Sequence, residues 1–199
     1  ELGAINGGTR NLEAYQTYLN GWSVYLEGST ESHKKALQIF RRATELDPNY
    51  ALAWERIAHL NIRLPINADA SLRENWKEES GRALDRAMAA APNSPSVLAT
   101  AAVRHSFLHE WKEAELLYQG AGDLSNEGLA PPLFNFANYL SPAGRTPEAI
   151  ELYEKAKEIE PLSGIIAITL GSAYSSMKRY KDAEVQFEQA FNLSPGRGV

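Results

Sequence analysis

The feature that most constrains this sequence is a helical pattern that recurs along the chain. In each copy a small residue is followed four residues later by a bulky apolar residue, three further on by alanine, and five further on by proline. Offsets of four and seven place the first three residues on one face of a helix, and the proline ends that helix. A weaker copy begins at Ala114 and has Asn126 in place of the proline. The complete copies are Ala36–Pro48, Ser80–Pro92, Ala149–Pro161 and Ala183–Pro195.

The copies are evenly spaced. From Ser80 onward they start 34, 35 and 34 residues apart, and only the first interval, of 44 residues, is longer. An unrelated helical bundle needs no fixed repeat length, so this spacing favours a stack of similar units. Further helical patterns precede four of the copies, and each unit is therefore predicted to be two antiparallel helices. These preceding patterns begin at Ala51, Pro95, Ala130 and Gly164.

Small residues in the first helices are expected to meet small residues of the second helices, so that the two backbones approach closely. The bulky residues then fill the space between neighbouring units. Ser94 before Pro95 and Thr146 before Pro147 have the residue types of an N-cap followed by a first-turn proline. The small residues in question are Ala58, Ala102, Ala137 and Gly171.

The last unit resembles the tetratricopeptide repeat (TPR), a helix-turn-helix unit of roughly 34 residues. Trp54 supplies the family's tryptophan in the second unit. The resemblance implies an all-α fold, a right-handed α-solenoid of about five TPR-like helix-turn-helix units. Residues 1–10 are an N-terminal lead and 11–199 a single solenoid, with units at approximately 11–50, 51–94, 95–129, 130–163 and 164–199. The family's pattern is matched by Leu170, Gly171, Tyr174, Ala183, Phe187, Ala190 and Pro195.

The second unit is longer than the others. Trp54 precedes Ser80 by 26 residues, where the later units show 16 at the corresponding positions. The extra residues fall near Leu64 to Leu72 and either lengthen the helices or form a projecting loop.

Composition excludes several function classes. The 20 Lys and Arg against 25 Asp and Glu leave no positive surplus for phosphates, so direct binding to nucleic acid is not expected. The absence of cysteine removes disulfides, thiolate metal sites and cysteine nucleophiles. The longest apolar stretch, Gly164 to Leu170, is far shorter than a membrane span, so no membrane insertion is expected. No phosphate loop or nucleophile elbow occurs, and we expect no cofactor and no catalysis.

The predicted function is a non-catalytic protein-binding or peptide-binding scaffold, because the first helices of such repeats line a concave groove. Asn135 and Asn138 are singled out, since an amide both donates and accepts and can hold an extended peptide backbone. The groove candidates are Arg56, His59, Arg63, Thr100, Phe134, Asn135, Asn138, Thr169 and Ser172.

One TPR subclass clamps a C-terminal carboxylate with lysine, arginine and asparagine side chains. The corresponding turns here carry Tyr18, Trp22, Arg56, Ser96 and Thr100, so the resemblance does not extend to that clamp. Basic side chains on successive turns from Arg56 to Arg63 still allow one local site for an anionic group, which neighbouring Glu55 partly offsets. A solvated helix surface is the alternative interpretation.

Two further functions stay open. A homo-oligomerisation module would use the end of the last unit, where Tyr174, Phe187 and Phe191 are expected to lie uncovered. A metal-dependent hydrolase would use His105 and His109, because histidines four apart on a helix can share a metal ion. Their order does not match the HExxH arrangement, which argues against a metal site.

The first unit also resembles the start of the TPR region in bacterial multidomain signalling proteins, in which a class III adenylate or guanylate cyclase or a winged-helix regulator precedes the repeats. The likeness rests on the segments 11–21 and 36–54. It implies a regulatory or sensory segment of a larger bacterial signalling protein, in the cytoplasm rather than the periplasm. The absence of Met before Glu1 fits a piece of a longer chain.

Overall fold

The computed structural model describes residues 7–63, 70–124 and 129–193. Within these ranges the chain forms ten helices and no strand, so the predicted all-α fold class is confirmed. The helices are α1 (Leu12–Tyr25), α2 (Thr30–Leu46), α3 (Ala51–Arg63), α4 (Ala70–Ala90), α5 (Pro95–Phe107), α6 (Trp111–Leu124), α7 (Ala130–Leu140), α8 (Thr146–Ile159), α9 (Gly164–Ser176) and α10 (Tyr180–Leu193).

The chain divides into two compact halves, an N-terminal half, Glu1–His109, and a C-terminal half, Glu110–Val199. Helices α1 to α5 build the first and α6 to α10 the second. Within the halves, α1 packs on α2, α3 on α4, α7 on α8 and α9 on α10. These four pairs are the ones that the repeated sequence pattern predicts for the first, second, fourth and fifth units.

The pairing of α1 with α2 is antiparallel. The amide nitrogen Nδ2 of Asn11, at the start of α1, donates to the carbonyl of Leu46 at the end of α2, at 2.9 Å. The Asn11 side chain also caps α1, accepting from the backbone amides of Glu13 and Ala14. Ser29 and Ser32 form a reciprocal capping box that begins α2.

The recurring residues form the core of each helix pair. Ala36, Phe40 and Ala43 are all fully buried, and the corresponding residues of α4, α6 and α8 are buried as well. Phe187 of α10 is the exception, with 38% of its surface exposed. Helices α2, α4 and α8 end two residues before Pro48, Pro92 and Pro161, as predicted.

The close approach of the helices differs from the expectation at Gly171. A methyl group placed there would lie 2.7 Å from a ring carbon of Phe187, so the glycine meets the bulky residue of α10 and not its small ones. Gly21 faces Phe40 of α2 in the same way, at 2.8 Å. The missing side chain makes room for an aromatic ring in both pairs.

Three finer expectations have mixed outcomes. Ser94 does occupy the N-cap of α5, but its side chain makes no capping hydrogen bond. The N-cap predicted at Thr146 is wrong by one residue, because α8 already begins there and Arg145 is its N-cap. Of the longer second unit, residues 64–69 lie outside the described ranges, while from Ala70 onward the chain is helix α4, whose 21 residues make it the longest described.

None of the helices in the described ranges combines the length and the apolar character needed to cross a lipid bilayer.

Candidate functional site

Aromatic and basic side chains of the N-terminal half gather between α1 and α3. They recur three or four residues apart on each helix, which places them along one helical face. Helix α2 contributes one histidine and α5 one threonine. We call this set the aromatic–basic cluster; it consists of Tyr18, Trp22, Tyr25, His33, Glu55, Arg56, His59, Arg63 and Thr100.

The centre of the cluster is a buried charge pair. The side chain of Glu55 is only 1% exposed, and its Oε2 lies 2.6 Å from Nε of Arg56. The geometry of this contact is not that of a hydrogen bond, and both atoms lack a hydrogen-bond partner among the described residues. The other carboxylate oxygen accepts the Thr100 hydroxyl at 2.5 Å. Burial raises the pKa of Glu55, and Arg56 and Thr100 partly offset this rise.

Arg56 is held from its other side by aromatic rings. Its guanidinium carbon lies 4.8 Å from the centre of the Trp22 ring, a cation–π contact. Tyr18 packs against Phe40 and Tyr50 with ring centres 5.4 and 5.1 Å apart. Burial raises the pKa of Tyr18, and the adjacent Arg56 lowers it in part. The charge of Arg56 is therefore fixed in place and already neutralised by Glu55.

The outer end of the cluster contains two histidines, one from α2 and one from α3. Tyr25 stacks on Trp22 and on His33, with ring centres 5.2 and 4.9 Å apart. Its hydroxyl lies 3.4 Å from Nε2 of His59. Burial, with Arg56, Arg63 and His33 nearby, holds the pKa of His59 well below its usual range. Burial and Arg63 also lower the pKa of His33.

Four of the predicted groove residues belong to this cluster. Arg56, His59 and Arg63 lie along α3 as the helical spacing predicts, with Arg63 exposed and His59 half-buried. Thr100 is only 2% exposed, and its hydroxyl holds Glu55. It therefore supports the charge pair and does not itself reach the surface.

The remaining predicted groove residues lie in the C-terminal half, on α7 and α9. Phe134 packs against the Tyr153 ring at 5.7 Å, so it is part of the helix contact. The hydroxyl of Tyr153 donates to Oδ1 of Asn138 at 2.8 Å, which leaves the exposed amide nitrogen of Asn138 as its donor to a ligand. Asn135 is half-buried.

The two hydroxyl side chains of α9 bind their own helix. Thr169 donates to the carbonyl of Ile165 at 2.8 Å, and Ser172 donates to that of Ile168 at 3.0 Å. Each keeps only its oxygen lone pairs for a partner. Asn135 and Asn138 therefore offer more to a peptide than Thr169 and Ser172 do.

The two histidines proposed as metal ligands do not have the helical arrangement that the metal-site hypothesis requires. Helix α5 ends at Phe107, and His109 lies beyond it with a left-handed backbone, φ 62°. His105 and His109 are therefore not on successive turns of one helix. In the described ranges, no three His, Cys, Asp or Glu side chains are grouped to hold a metal ion.

The apolar end expected on the last helix pair is smaller than predicted. Phe187 and Phe191 are 38% and 57% exposed, but Tyr174 is 6% exposed. Tyr174 donates its hydroxyl to Glu154, and Arg179 lies 4.3 Å from its ring centre. Ile168 on α9 is also exposed, at 38%.

Sequence reasoning missed Tyr25 and His33 as members of the site. Tyr25 follows Tyr18 and Trp22 by seven and three residues, a helical spacing that was available as a signal. His33 comes from the second helix, which the groove expectation did not include. The stacking of its ring on Tyr25 brings it to the cluster.

Comparisons with known proteins agree on the repeat. A family model for the tetratricopeptide repeat matches residues 24–50 and 166–197, so the predicted TPR repeats are confirmed in those stretches. No protein with a curated description matches the sequence significantly.

Several solved structures share the fold. A thermophilic TPR protein from Thermus thermophilus has a TM-score of 0.72 at 18% identity, covering 92% of either chain. PilF of Pseudomonas aeruginosa has a TM-score of 0.63 at 18% identity, covering 96% of this chain and 80% of its own. YrrB, a TPR protein with an unusual peptide-binding site, has a TM-score of 0.53 at 20% identity, covering 90% of this chain and 86% of its own.

Proposed function

We propose that this chain, which carries tetratricopeptide repeats and shares their all-helical fold, is a non-catalytic module that binds a protein or peptide. The observation that carries the proposal is the aromatic–basic cluster. It brings the half-buried Trp22 and Tyr25 rings of α1 together with Arg56, His59 and the exposed Arg63 of α3. Aromatic rings and arginine are the groups that contribute most to binding at protein interfaces. YrrB, which has a similar fold, is described as having a peptide-binding site.

The binding test uses peptides selected against the full chain from a phage-displayed random library. Their affinities for the unaltered chain and for variants are then measured by calorimetry. Arg63→Ala and Trp22→Ala are expected to weaken binding about tenfold, the effect of losing an interface residue worth more than about 1 kcal/mol. Arg42→Ala is the matched control, because Arg42 is also an exposed arginine of the N-terminal half and pairs with Glu45 on its own helix.

Asn135 and Asn138 form a separate proposed contact in the C-terminal half. Alanine at both positions is expected to weaken capture of the selected peptides and leave helicity unchanged. Gln119→Ala, on the exposed face of α6, is the control. Selected peptides that bind the Asn135→Ala/Asn138→Ala chain and the Arg63→Ala chain as tightly as the original would contradict both assignments.

Self-association is the second candidate function, and the exposed Ile168, Phe187 and Phe191 side chains support it. In α8 the residue one repeat earlier than Phe187 is Tyr153, which is 2% exposed. A second copy that covered Phe187 and Phe191 would bury them in the same way. Light scattering across a range of concentrations tests this, and a species that stays monomeric at every concentration rejects it.

The wider context proposed is the regulatory or sensory segment of a larger bacterial signalling protein, such as an adenylate cyclase. Its support is the likeness of the segments 11–21 and 36–54 to the repeat region of such proteins. Translation of the reading frame upstream of Glu1 tests it directly. A cyclase or winged-helix domain there supports the proposal, and a start codon immediately before Glu1 contradicts it.

A further inference from the structure

The outer end of the aromatic–basic cluster carries an arginine whose charge no carboxylate of the cluster balances. Arg63 and the two histidines lie there, while Glu55, the single carboxylate of the cluster, lies at its centre beside Arg56. Both of its oxygens are already engaged, one with Thr100 at 2.5 Å and one with Arg56 at 2.6 Å. Arg56 is thereby neutralised, while Arg63 takes part in none of the ion pairs found among the described residues.

The unbalanced charge is positioned next to the two histidines. Arg63 is exposed at the end of α3, one helical turn after His59, and its charge contributes to the lowered pKa of both His33 and His59. Tyr25 lies between the two imidazoles, stacked on His33 at 4.9 Å and with its hydroxyl 3.4 Å from Nε2 of His59. The two imidazoles therefore lie on either side of Tyr25, and Arg63 follows His59 by one turn of α3.

We propose that the partner presents a carboxylate to Arg63, His33 and His59 at the outer end of this cluster. The inference rests on the proposed binding function and adds the chemistry of the ligand. A carboxylate is the group that complements one unpaired guanidinium and two imidazoles able to become donors. It would occupy a position that no charge of the described part of the chain fills.

Binding of a carboxylate is coupled to protons. In the free chain, burial and the neighbouring Arg56 and Arg63 lower the pKa of His59 and favour its neutral form. Burial and Arg63 lower the pKa of His33 as well, and a hydrogen bond to the Tyr25 backbone partly offsets this. No negative group offsets these charges at His59 among the described residues, and the contact from α1 is the Tyr25 hydroxyl. A bound carboxylate reverses the sign of the local field and raises the pKa of both imidazoles. The complex then takes up protons, and affinity increases as the pH falls through the pKa that the imidazoles have in the complex.

The histidine resonances of the full chain provide the readout. The chain has 4 histidines, and His105 and His109, outside the cluster, serve as internal references. The probes are three peptides: hexaglutamate with both ends blocked, hexaglutamine with both ends blocked, and hexaglutamine with a free C-terminal carboxylate. The first and third distinguish a side-chain carboxylate from a terminal one. Each peptide is titrated at a pH about one unit below the ordinary histidine pKa and again about one unit above it.

Hexaglutamate is expected to shift the His33 and His59 resonances and to leave His105 and His109 in place, with tighter binding at the lower pH. Arg63→Gln should weaken this binding about twofold to fivefold, the range of an exposed ion pair. Arg42→Gln should not change it. If hexaglutamine with a free C-terminal carboxylate shifts the same resonances, the proposal is supported and the carboxylate can be that of a peptide C-terminus.

Three results would overturn the proposal: no shift with either carboxylate peptide, equal shifts with blocked hexaglutamine, or unchanged affinity in Arg63→Gln. The proposed binding function is tested separately from the carboxylate proposal. If the phage-selected peptides bind through Trp22 but tolerate replacement of every acidic residue by its amide, the binding function stands and the carboxylate does not.

Discussion

At the residue scale, the cluster shows how an unfavourable pair can be retained in a helical repeat. Glu55 and Arg56 are adjacent in sequence, so their side chains leave α3 in different directions, yet Nε of Arg56 and Oε2 of Glu55 lie 2.6 Å apart. The hydroxyl of Thr100 and the Trp22 ring then hold one member each. Removing a single partner leaves a buried charge without compensation, whereas removing both removes the desolvation penalty as well.

Glu55→Gln is therefore expected to lower the free energy of unfolding by about 3 kcal/mol. The double variant Glu55→Leu/Arg56→Met should lie within about 1 kcal/mol of the original chain. Urea unfolding measures both. Glu45→Gln, which breaks an exposed pair with Arg42, is the control and should change stability by less than about 1 kcal/mol. A Glu55→Gln effect no larger than that of Glu45→Gln would show that the pair is not buried in solution.

His59 gives stability a defined dependence on pH. Its pKa is lowered in the folded chain, so the unfolded chain binds more protons once the pH falls below about 6.5. Stability from this residue is complete above that value and is lost progressively as the pH decreases. His59→Leu should reduce the slope of unfolding free energy against pH, from about 6.5 down to about 5, by up to about 1.4 kcal/mol per pH unit. An unchanged slope would mean that the pKa of His59 is not lowered in the folded chain.

Residue-level prediction from the sequence succeeded where it depended on one helix. The positions of Arg56, His59 and Arg63 follow from spacing along α3 alone. The burial of Thr100 could not be predicted, because it depends on a carboxylate 45 positions away. The same limit applies to Tyr174, whose burial follows from contacts with Glu154 and Arg179 in neighbouring elements.

At the element scale, two of the helix pairs place a glycine of the first helix opposite a phenylalanine of the second. Gly21 and Gly171 occupy corresponding places in α1 and α9, and each accommodates a phenylalanine of the second helix. The rings differ in freedom, since Phe40 is fully buried and Phe187 is 38% exposed. The sequence pattern identified the glycine and the aromatic positions, but it did not indicate that they face each other.

Gly21→Ala and Gly171→Ala form a matched pair that tests this packing. Alanine in the middle of a helix gains roughly 0.5–1 kcal/mol over glycine. At Gly21 the new methyl group meets a ring that cannot move, so a net loss of about 1–2 kcal/mol is expected. At Gly171 the Phe187 ring can turn towards solvent, and stability should change by less than about 0.5 kcal/mol. Equal changes in urea unfolding for the two variants would contradict this difference.

At the scale of the whole molecule, the regular spacing of the repeats was sufficient to predict an all-helical fold, because a fixed period of about 34 residues has few structural solutions. The function is less determined, since one fold supports many binding partners. The two halves each present a set of polar or aromatic side chains on their first helices. The set in the N-terminal half contains stacked aromatic rings and an arginine outside any ion pair of the described residues, whereas the set in the C-terminal half offers mainly the amides of Asn135 and Asn138.

Hydrogen exchange of the full chain, with and without a phage-selected peptide, tests the central claim most directly. Binding at the aromatic–basic cluster predicts slower exchange in α1 and α3, the Leu12–Tyr25 and Ala51–Arg63 segments, with little change in α4. It also predicts that Trp22→Ala reduces this protection at a peptide concentration near the dissociation constant of the original chain. Protection confined to α4 or α10, or protection of α1 and α3 that is undiminished in Trp22→Ala, would contradict the claim that this cluster binds the partner.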